Sequence, residues 1–214
     1  MGDAVERRSL RLRVSGGFWL VAVGILLNIL CGTGDFGNRA ASAVAVFLAI
    51  VIHEAGHLIA AWACRVRIDA LRLDVLGARL HTAGLLSYGQ EAMVAAGGPV
   101  ASGLSAALAS PLWASRGYPE GGMLCLLVGA SAVLGGLNLL PVGTLDGGRM
   151  LYCALAYAVG ERLAEAVLRL TGGACALALW LFSVYALLRA GDMIAPFAFS
   201  LVLLVRVLQG DYQE

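Results

Sequence analysis

The sequence contains no lysine, and charged residues of every kind are scarce, since Asp, Glu, Lys and Arg together make up only 14% of it. A soluble globular domain carries about 25% charged residues. A soluble fold needs a polar coat over its surface, and a chain of 214 residues with so few charges cannot supply one. The composition therefore excludes an ordinary cytosolic enzyme.

A disulfide framework and a thiolate metal site are also missing. The five cysteines form no Cys-x-x-Cys pair, and most fall inside apolar runs, where cysteine behaves as a small hydrophobic residue. We therefore expect reduced cysteines that serve packing. The net charge of +1 gives no reason to expect a nucleic-acid partner.

Apolar residues are what the sequence has in abundance: they make up 60% of it, and its mean hydropathy is +0.83. A run of about 20 apolar residues crosses a lipid bilayer as a helix. On that measure the sequence predicts an all-α polytopic membrane protein with about six transmembrane helices. The predicted spans are Gly17–Thr33, Ala40–Cys64, Ala92–Ser115, Met123–Leu140, Ala174–Leu188 and Met193–Leu208.

The distribution of arginine along the sequence predicts how the chain is oriented in the membrane. If six helices alternate from a cytoplasmic N-terminus, twelve arginines fall on the cytoplasmic side, and only Arg39, Arg116 and Arg189 fall outside. Positive residues prefer the cytoplasmic side, so we expect a multi-pass protein of the cell membrane with both termini in the cytoplasm. The first apolar run follows several arginines, as in a signal peptide, but no convincing cleavage site follows it, and an uncleaved first helix is expected.

Two stretches between the spans have patterns of their own. Residues 66–75 alternate apolar and polar side chains, which is the period of a strand, and Gly77 favours a turn. A short β-hairpin is therefore expected on the cytoplasmic side between the second and third helices. Residues 149–170 are amphipathic, which predicts a helix lying at the membrane interface.

Three ionisable residues lie together inside the second predicted span. His53, Glu54 and His57 fit the pattern His-Glu-x-x-His, although charged groups within a bilayer cost at least about 2.5–3.5 kcal/mol each. Residues four apart share one face of a helix, so the two imidazoles can bind one zinc ion. Glu54 would then lie beside a zinc-bound water as its base. The alternative is a polar cluster that hydrogen-bonds to neighbouring helices.

A catalytic zinc usually has three protein ligands and one water, so the sequence must supply a third. His81 in the predicted hairpin is one candidate, and Asp146 is the better one. Asp146 follows Pro141 within a Gly-rich run, and irregular backbone at membrane depth is tolerated only where it is buried in protein or lines a cavity. The alternative role for Asp146 is to cap a helix that begins near Gly147.

Taken together, the segments His53–His57 and Asn138–Gly147 resemble the site-2 protease family of intramembrane zinc metalloproteases. That family carries HExxH in one transmembrane helix and NxxPxxxxDG in a later one. The resemblance implies that one Zn²⁺ per chain is bound by His53, His57 and Asp146, with Glu54 as the catalytic base. It also implies that Asn138 lies near the substrate or the developing oxyanion.

The resemblance further implies an endopeptidase that cleaves within or near a transmembrane segment of a membrane-tethered substrate. The substrate would be a single-pass membrane protein or a membrane-associated transcription-factor precursor. The chain length and the run Leu145–Arg149 are most similar to the branch that includes the sporulation protease acting on a pro-sigma factor. We expect one domain over residues 1–214, without a PDZ or CBS domain.

The sequence departs from the family at one motif. The family often shows Gly-Pro-x-x-Asn after the hairpin, whereas here the run Gly98–Ser102 ends in serine. Two other functions compete with the protease. One is a membrane metal or ion transporter that uses the same His, Glu and Asp cluster, and the other is an inactive relative that serves as a scaffold.

Overall fold

The computed structural model describes residues 11–14, 36–74, 77–82, 84–117, 122–190 and 194–210. In these ranges the chain forms six helices and three short strands. The helices are α1 (Phe36–Ala63), α2 (Tyr88–Ala114), α3 (Met123–Asn138), α4 (Asp146–Val159), α5 (Glu161–Ala190) and α6 (Ile194–Gln209). The strands are β1 (Arg11–Val14), β2 (Ile68–Asp74) and β3 (Gly77–Thr82). The first predicted span, Gly17–Thr33, lies outside the described residues.

Three of the described helices, α1, α2 and α5, are long and apolar enough to cross a membrane. The helices α3 and α6 are apolar as well but have only 16 residues each. These five helices cover the second to sixth predicted spans, and the predicted class of a helical membrane protein is confirmed. The number of crossings and the orientation of the termini stay predictions.

The stretch 149–170, expected to be one interfacial helix, is instead divided at Gly160. Gly160 has a φ of 92°, a conformation that glycine adopts without strain and that ends α4. The next helix, α5, runs for 30 residues through the predicted fifth span without a break. Gly172 and Gly173 do not interrupt it, because a glycine inside a helix costs only about 1 kcal/mol relative to alanine.

The predicted β-hairpin is present between α1 and α2. Strands β2 and β3 pair antiparallel, with Asp74 opposite Gly77 at the turn. The strand β1 pairs parallel to the other edge of β2, with Arg11 opposite Ala70. The sequence pattern did not predict this third strand, because four residues are too few to establish a strand period.

The helix α2 lies at the centre of the arrangement and packs against α1, α3 and α4. Its closest approach is to α1, where the backbones of Gly56 and Gly97 meet. A Cβ atom on Gly97 would lie 2.5 Å from the carbonyl oxygen of Gly56 and 2.8 Å from the Cβ of Ala60. Small residues at such a crossing let two membrane helices approach closely, and this crossing brings the His-Glu-x-x-His segment against α2.

The connection between α3 and α4 is held tightly on both sides. Val142 and Leu145 are buried in an apolar cluster with Ala176 of α5 and with Leu203 and Val207 of α6. The glycines that open α4 pack directly against backbone carbonyls of this connection and leave no space for side chains. The start of α4, and with it Asp146, is therefore fixed in place. Among the described cysteines, Cys64, Cys125, Cys153 and Cys175 form no disulfide.

Candidate metal centre

The three predicted metal ligands meet inside the protein. His53 and His57 lie one turn apart on α1, and Asp146 is the first residue of α4. Their exposed fractions are 3%, 6% and 8%. The capping alternative for Asp146 is wrong, since Leu145 occupies the N-cap position without a side-chain cap and the Asp146 carboxylate contacts both histidines.

The ligand atoms form a nearly equilateral triangle. Asp146 Oδ2 lies 3.2 Å from His53 Nε2 and 3.3 Å from His57 Nε2, and the two Nε2 atoms are 3.3 Å apart. Zinc binds histidine nitrogen and carboxylate oxygen at about 2.0–2.2 Å in tetrahedral geometry, which separates neighbouring ligand atoms by about 3.3–3.6 Å. The spacing of the three atoms thus fits a tetrahedral zinc ion. Among the described residues, these three side chains form a group able to hold a metal.

The outer nitrogen of each histidine is also occupied. His57 Nδ1 lies 2.8 Å from the carbonyl oxygen of Val94, and His53 Nδ1 lies 2.9 Å from Ser102 Oγ. A carbonyl only accepts hydrogen bonds, so His57 carries its proton on Nδ1 and turns the lone pair of Nε2 toward the centre. With His53 in the same tautomer, three lone pairs converge on one point. A cation at that point would stabilise the arrangement. Hydrogen-bond partners at the outer nitrogen, such as the Val94 carbonyl and the Ser102 hydroxyl, commonly orient metal-binding histidines.

Gly98 of α2 closes one side of the centre. A Cβ atom at this position would lie 2.6 Å from His53 Nε2 and 2.6 Å from His57 Cε1, and closer still to His57 Nε2. Only a residue without a side chain leaves the space between the imidazoles open. Gly98, Val94 and Ser102 were not predicted as site residues, because their role depends on how α1 and α2 cross. The Gly-Pro motif beginning at Gly98 was the one signal in the sequence that pointed to this region.

The remaining predicted residues have different surroundings. Glu54 is half-buried on α1 next to His53 in the chain. Asn138 is half-buried at the end of α3, where its Nδ2 donates a hydrogen bond to the carbonyl oxygen of Leu134 at 3.0 Å. His81, the alternative third ligand, occupies a position in β3 opposite Ala70. The centre itself is built from α1 and the start of α4, with α2 behind it.

No protein-family model and no curated protein matches this sequence. Among solved structures, the chain is similar to the site-2 protease from Methanocaldococcus jannaschii. The TM-score is 0.69 at 24% sequence identity, over 95% of this chain and 91% of that chain. The chain has the site-2 protease fold. The resemblance stated from the two motifs is thus confirmed at the level of the fold, and the placement in the sporulation branch stays a prediction.

Proposed function

We propose that the chain is an intramembrane zinc metalloendopeptidase that cleaves a peptide bond within or near a transmembrane segment of a membrane-tethered substrate. The observation that carries the proposal is the triangle of two imidazole nitrogens and one carboxylate oxygen with sides of 3.2–3.3 Å. Its two histidines lie on α1, an apolar helix long enough to cross a membrane, and its carboxylate lies at the start of α4. Glu54 adjoins His53 in sequence and is half-buried. The site-2 protease fold also supports the proposal of an intramembrane protease.

The donor set fits a zinc ion. His53 Nε2, His57 Nε2 and Asp146 Oδ2 would hold it, since two histidines and a carboxylate are ligands found at catalytic zinc sites that keep a fourth position for water. When bound, zinc polarises a carbonyl oxygen and lowers the pKa of water to about 7. The hydrogen bonds at the outer nitrogens of both histidines and the close packing at the start of α4 hold the three ligands in place.

Two further side chains complete the proposed machinery. Glu54 is the general base that takes a proton from the attacking water and delivers it to the departing amine. Asn138 uses one amide hydrogen on Leu134 and keeps a second hydrogen with which to donate to the substrate carbonyl. A donor aimed at the developing oxyanion lowers the barrier to acyl transfer.

The proposed setting is the cell membrane, crossed several times, with both termini in the cytoplasm and a single domain over residues 1–214. Arg65 follows His57 by eight positions, which would be about 12 Å along a helix, so the centre lies toward the predicted cytoplasmic end of α1. Cleavage there would release a soluble fragment into the cytoplasm. The proposed substrates, which the resemblance to the site-2 protease family implies, are single-pass membrane proteins or membrane-associated transcription-factor precursors.

The test compares detergent-purified wild type with Asp146→Ala, Glu54→Gln and, as a control on an exposed carboxylate, Glu165→Gln. Zinc content is measured by mass spectrometry, and cleavage of a labelled single-pass substrate is measured in proteoliposomes. We expect about one zinc per chain in all proteins except Asp146→Ala. We expect cleavage only in the wild type and in Glu165→Gln.

Two results would overturn the proposal. The first is a folded wild-type chain that binds no zinc even after reconstitution with the metal. The second is a Glu54→Gln variant that cleaves as fast as the wild type, because the general base would then be another group. Zinc flux across the vesicle membrane without any cleavage would instead favour the transporter.

A further inference from the structure

We propose that Ser102 is a positioning residue of the metal centre, whose hydroxyl accepts the Nδ1 proton of His53 and thereby presents His53 Nε2 to the metal. This inference rests on the proposed function, because it assigns a role within the same centre. It concerns the position at which the sequence departs from the Gly-Pro-x-x-Asn pattern.

The surroundings of Ser102 leave its hydroxyl little freedom. The residue is 0% exposed on α2, and its Oγ lies 2.9 Å from His53 Nδ1. Behind it lies α3, where a Cβ added to Gly135 would be 3.0 Å from the Cβ of Ser102. The side chain is therefore enclosed between the imidazole and the neighbouring helix.

The hydroxyl of Ser102 bonds to an imidazole of another helix, whereas the contacts of Ser131 with Ser105 and of Ser183 with Ser200, also between described helices, join two serines. Five hydroxyls in these helices or directly after them donate to a carbonyl three or four residues earlier in the chain, as serine and threonine commonly do in helices. They belong to Ser110, Ser115, Thr171, Ser183 and Ser200. Ser102 instead bonds across to α1, to a residue 49 positions away in the chain. Its partner is the outer nitrogen of a proposed metal ligand, which is the arrangement expected of a residue that orients that ligand.

The two histidines depend on α2 in different ways. His57 is oriented by the backbone carbonyl of Val94, which no side-chain replacement removes. His53 is oriented by the side chain of Ser102. A substitution of Ser102 can therefore remove the hydrogen bond to His53 and leave that of His57 intact. The contribution of the Ser102–His53 hydrogen bond can thus be measured by itself.

The test compares wild type, Ser102→Ala and the matched control Ser131→Ala. Ser131 is also a buried serine, 1% exposed on α3, and its hydroxyl bonds to Ser105 Oγ at 3.2 Å. Zinc affinity is measured by competition with a chromophoric chelator, and the tautomer of His53 by ¹⁵N NMR of histidine-labelled protein. We expect Ser102→Ala to bind zinc about 10- to 100-fold more weakly and to lose the uniform Nδ1-protonated signature of His53. Ser131→Ala should match the wild type in both measurements.

The outcomes separate this proposal from the proposed function. Wild type that binds zinc, together with Ser102→Ala of equal affinity and unchanged His53 tautomer, overturns the positioning role alone. A folded wild type that binds no zinc overturns both. If Ser102→Ala does not fold, Ser102→Cys takes its place, since a thiol of similar size is a weaker acceptor. Its zinc affinity should then fall below that of the wild type, and equal affinity would overturn the positioning role.

Discussion

Replacing Gly98 with alanine would place a methyl group inside the candidate metal centre. The added Cβ would lie 2.6 Å from His53 Nε2, whereas ordinary van der Waals contact begins at 3.4 Å, so one of the two must move by 0.8 Å (3.4 less 2.6). The imidazole cannot simply retreat, because Ser102 holds its other nitrogen at 2.9 Å. Metal-ligand distances tolerate deviations of only about 0.2 Å, so the triangle would not survive.

We therefore expect Gly98→Ala to bind zinc at least about tenfold more weakly than the wild type. The matched control is Gly103→Ala on the same helix, where an added Cβ meets nothing within 4 Å. Its affinity should equal that of the wild type. The assay is chelator competition on detergent-purified protein, with far-UV circular dichroism to establish that each variant retains its helices.

A third variant, Asp146→Ala, separates steric exclusion from the loss of a ligand, because it removes a donor without adding volume to the centre. Both Gly98→Ala and Asp146→Ala should lose zinc while keeping their helical content. The reasoning would be refuted by a folded Gly98→Ala protein with wild-type affinity, because the imidazoles could not then lie against the backbone of α2 as described.

Two further predictions concern stability and carry their own controls. Gly97→Ala should lower the free energy of unfolding by about 1–3 kcal/mol, because its Cβ would lie 2.5 Å from a backbone oxygen of α1. The control Gly136→Ala should leave the free energy of unfolding unchanged, because an added Cβ there meets nothing within 4 Å. An equal loss of stability in both variants would contradict the close crossing of α1 and α2. Leu203→Ala should cost about 2–5 kcal/mol, because Leu203 is 0% exposed beneath the connection that leads to Asp146. The control Leu208→Ala should change the free energy of unfolding little, because that side chain is 77% exposed. Thermal unfolding of the purified variants measures the glycine pair and the leucine pair. A Leu203→Ala variant as stable as Leu208→Ala would contradict the buried cluster.

The membrane class and part of the metal site follow from local features of the sequence. The shortage of charge and the long apolar runs identify a membrane protein without any knowledge of its fold. The spacing of His53 and His57 places both imidazoles on one face wherever that segment is helical, because the helix period is local. The motif ending in Asp146-Gly147 identified the third ligand only as a candidate beside His81, and the two motifs together, not either alone, indicated the fold.

Tertiary structure decided everything that depends on how distant segments pack. Asp146 reaches histidines more than 85 positions away because the buried connection before α4 is anchored against α5 and α6. Ser102, Val94 and Gly98 belong to the centre only because Gly56 and Gly97 let α1 and α2 approach closely. The hydrophobic pattern of the sequence likewise did not predict the break between α4 and α5 at Gly160 or the pairing of β1 with β2. The period of apolar residues shows which face of a helix or strand is apolar. Which other helix or strand packs on that face is decided by contacts between residues far apart in the chain.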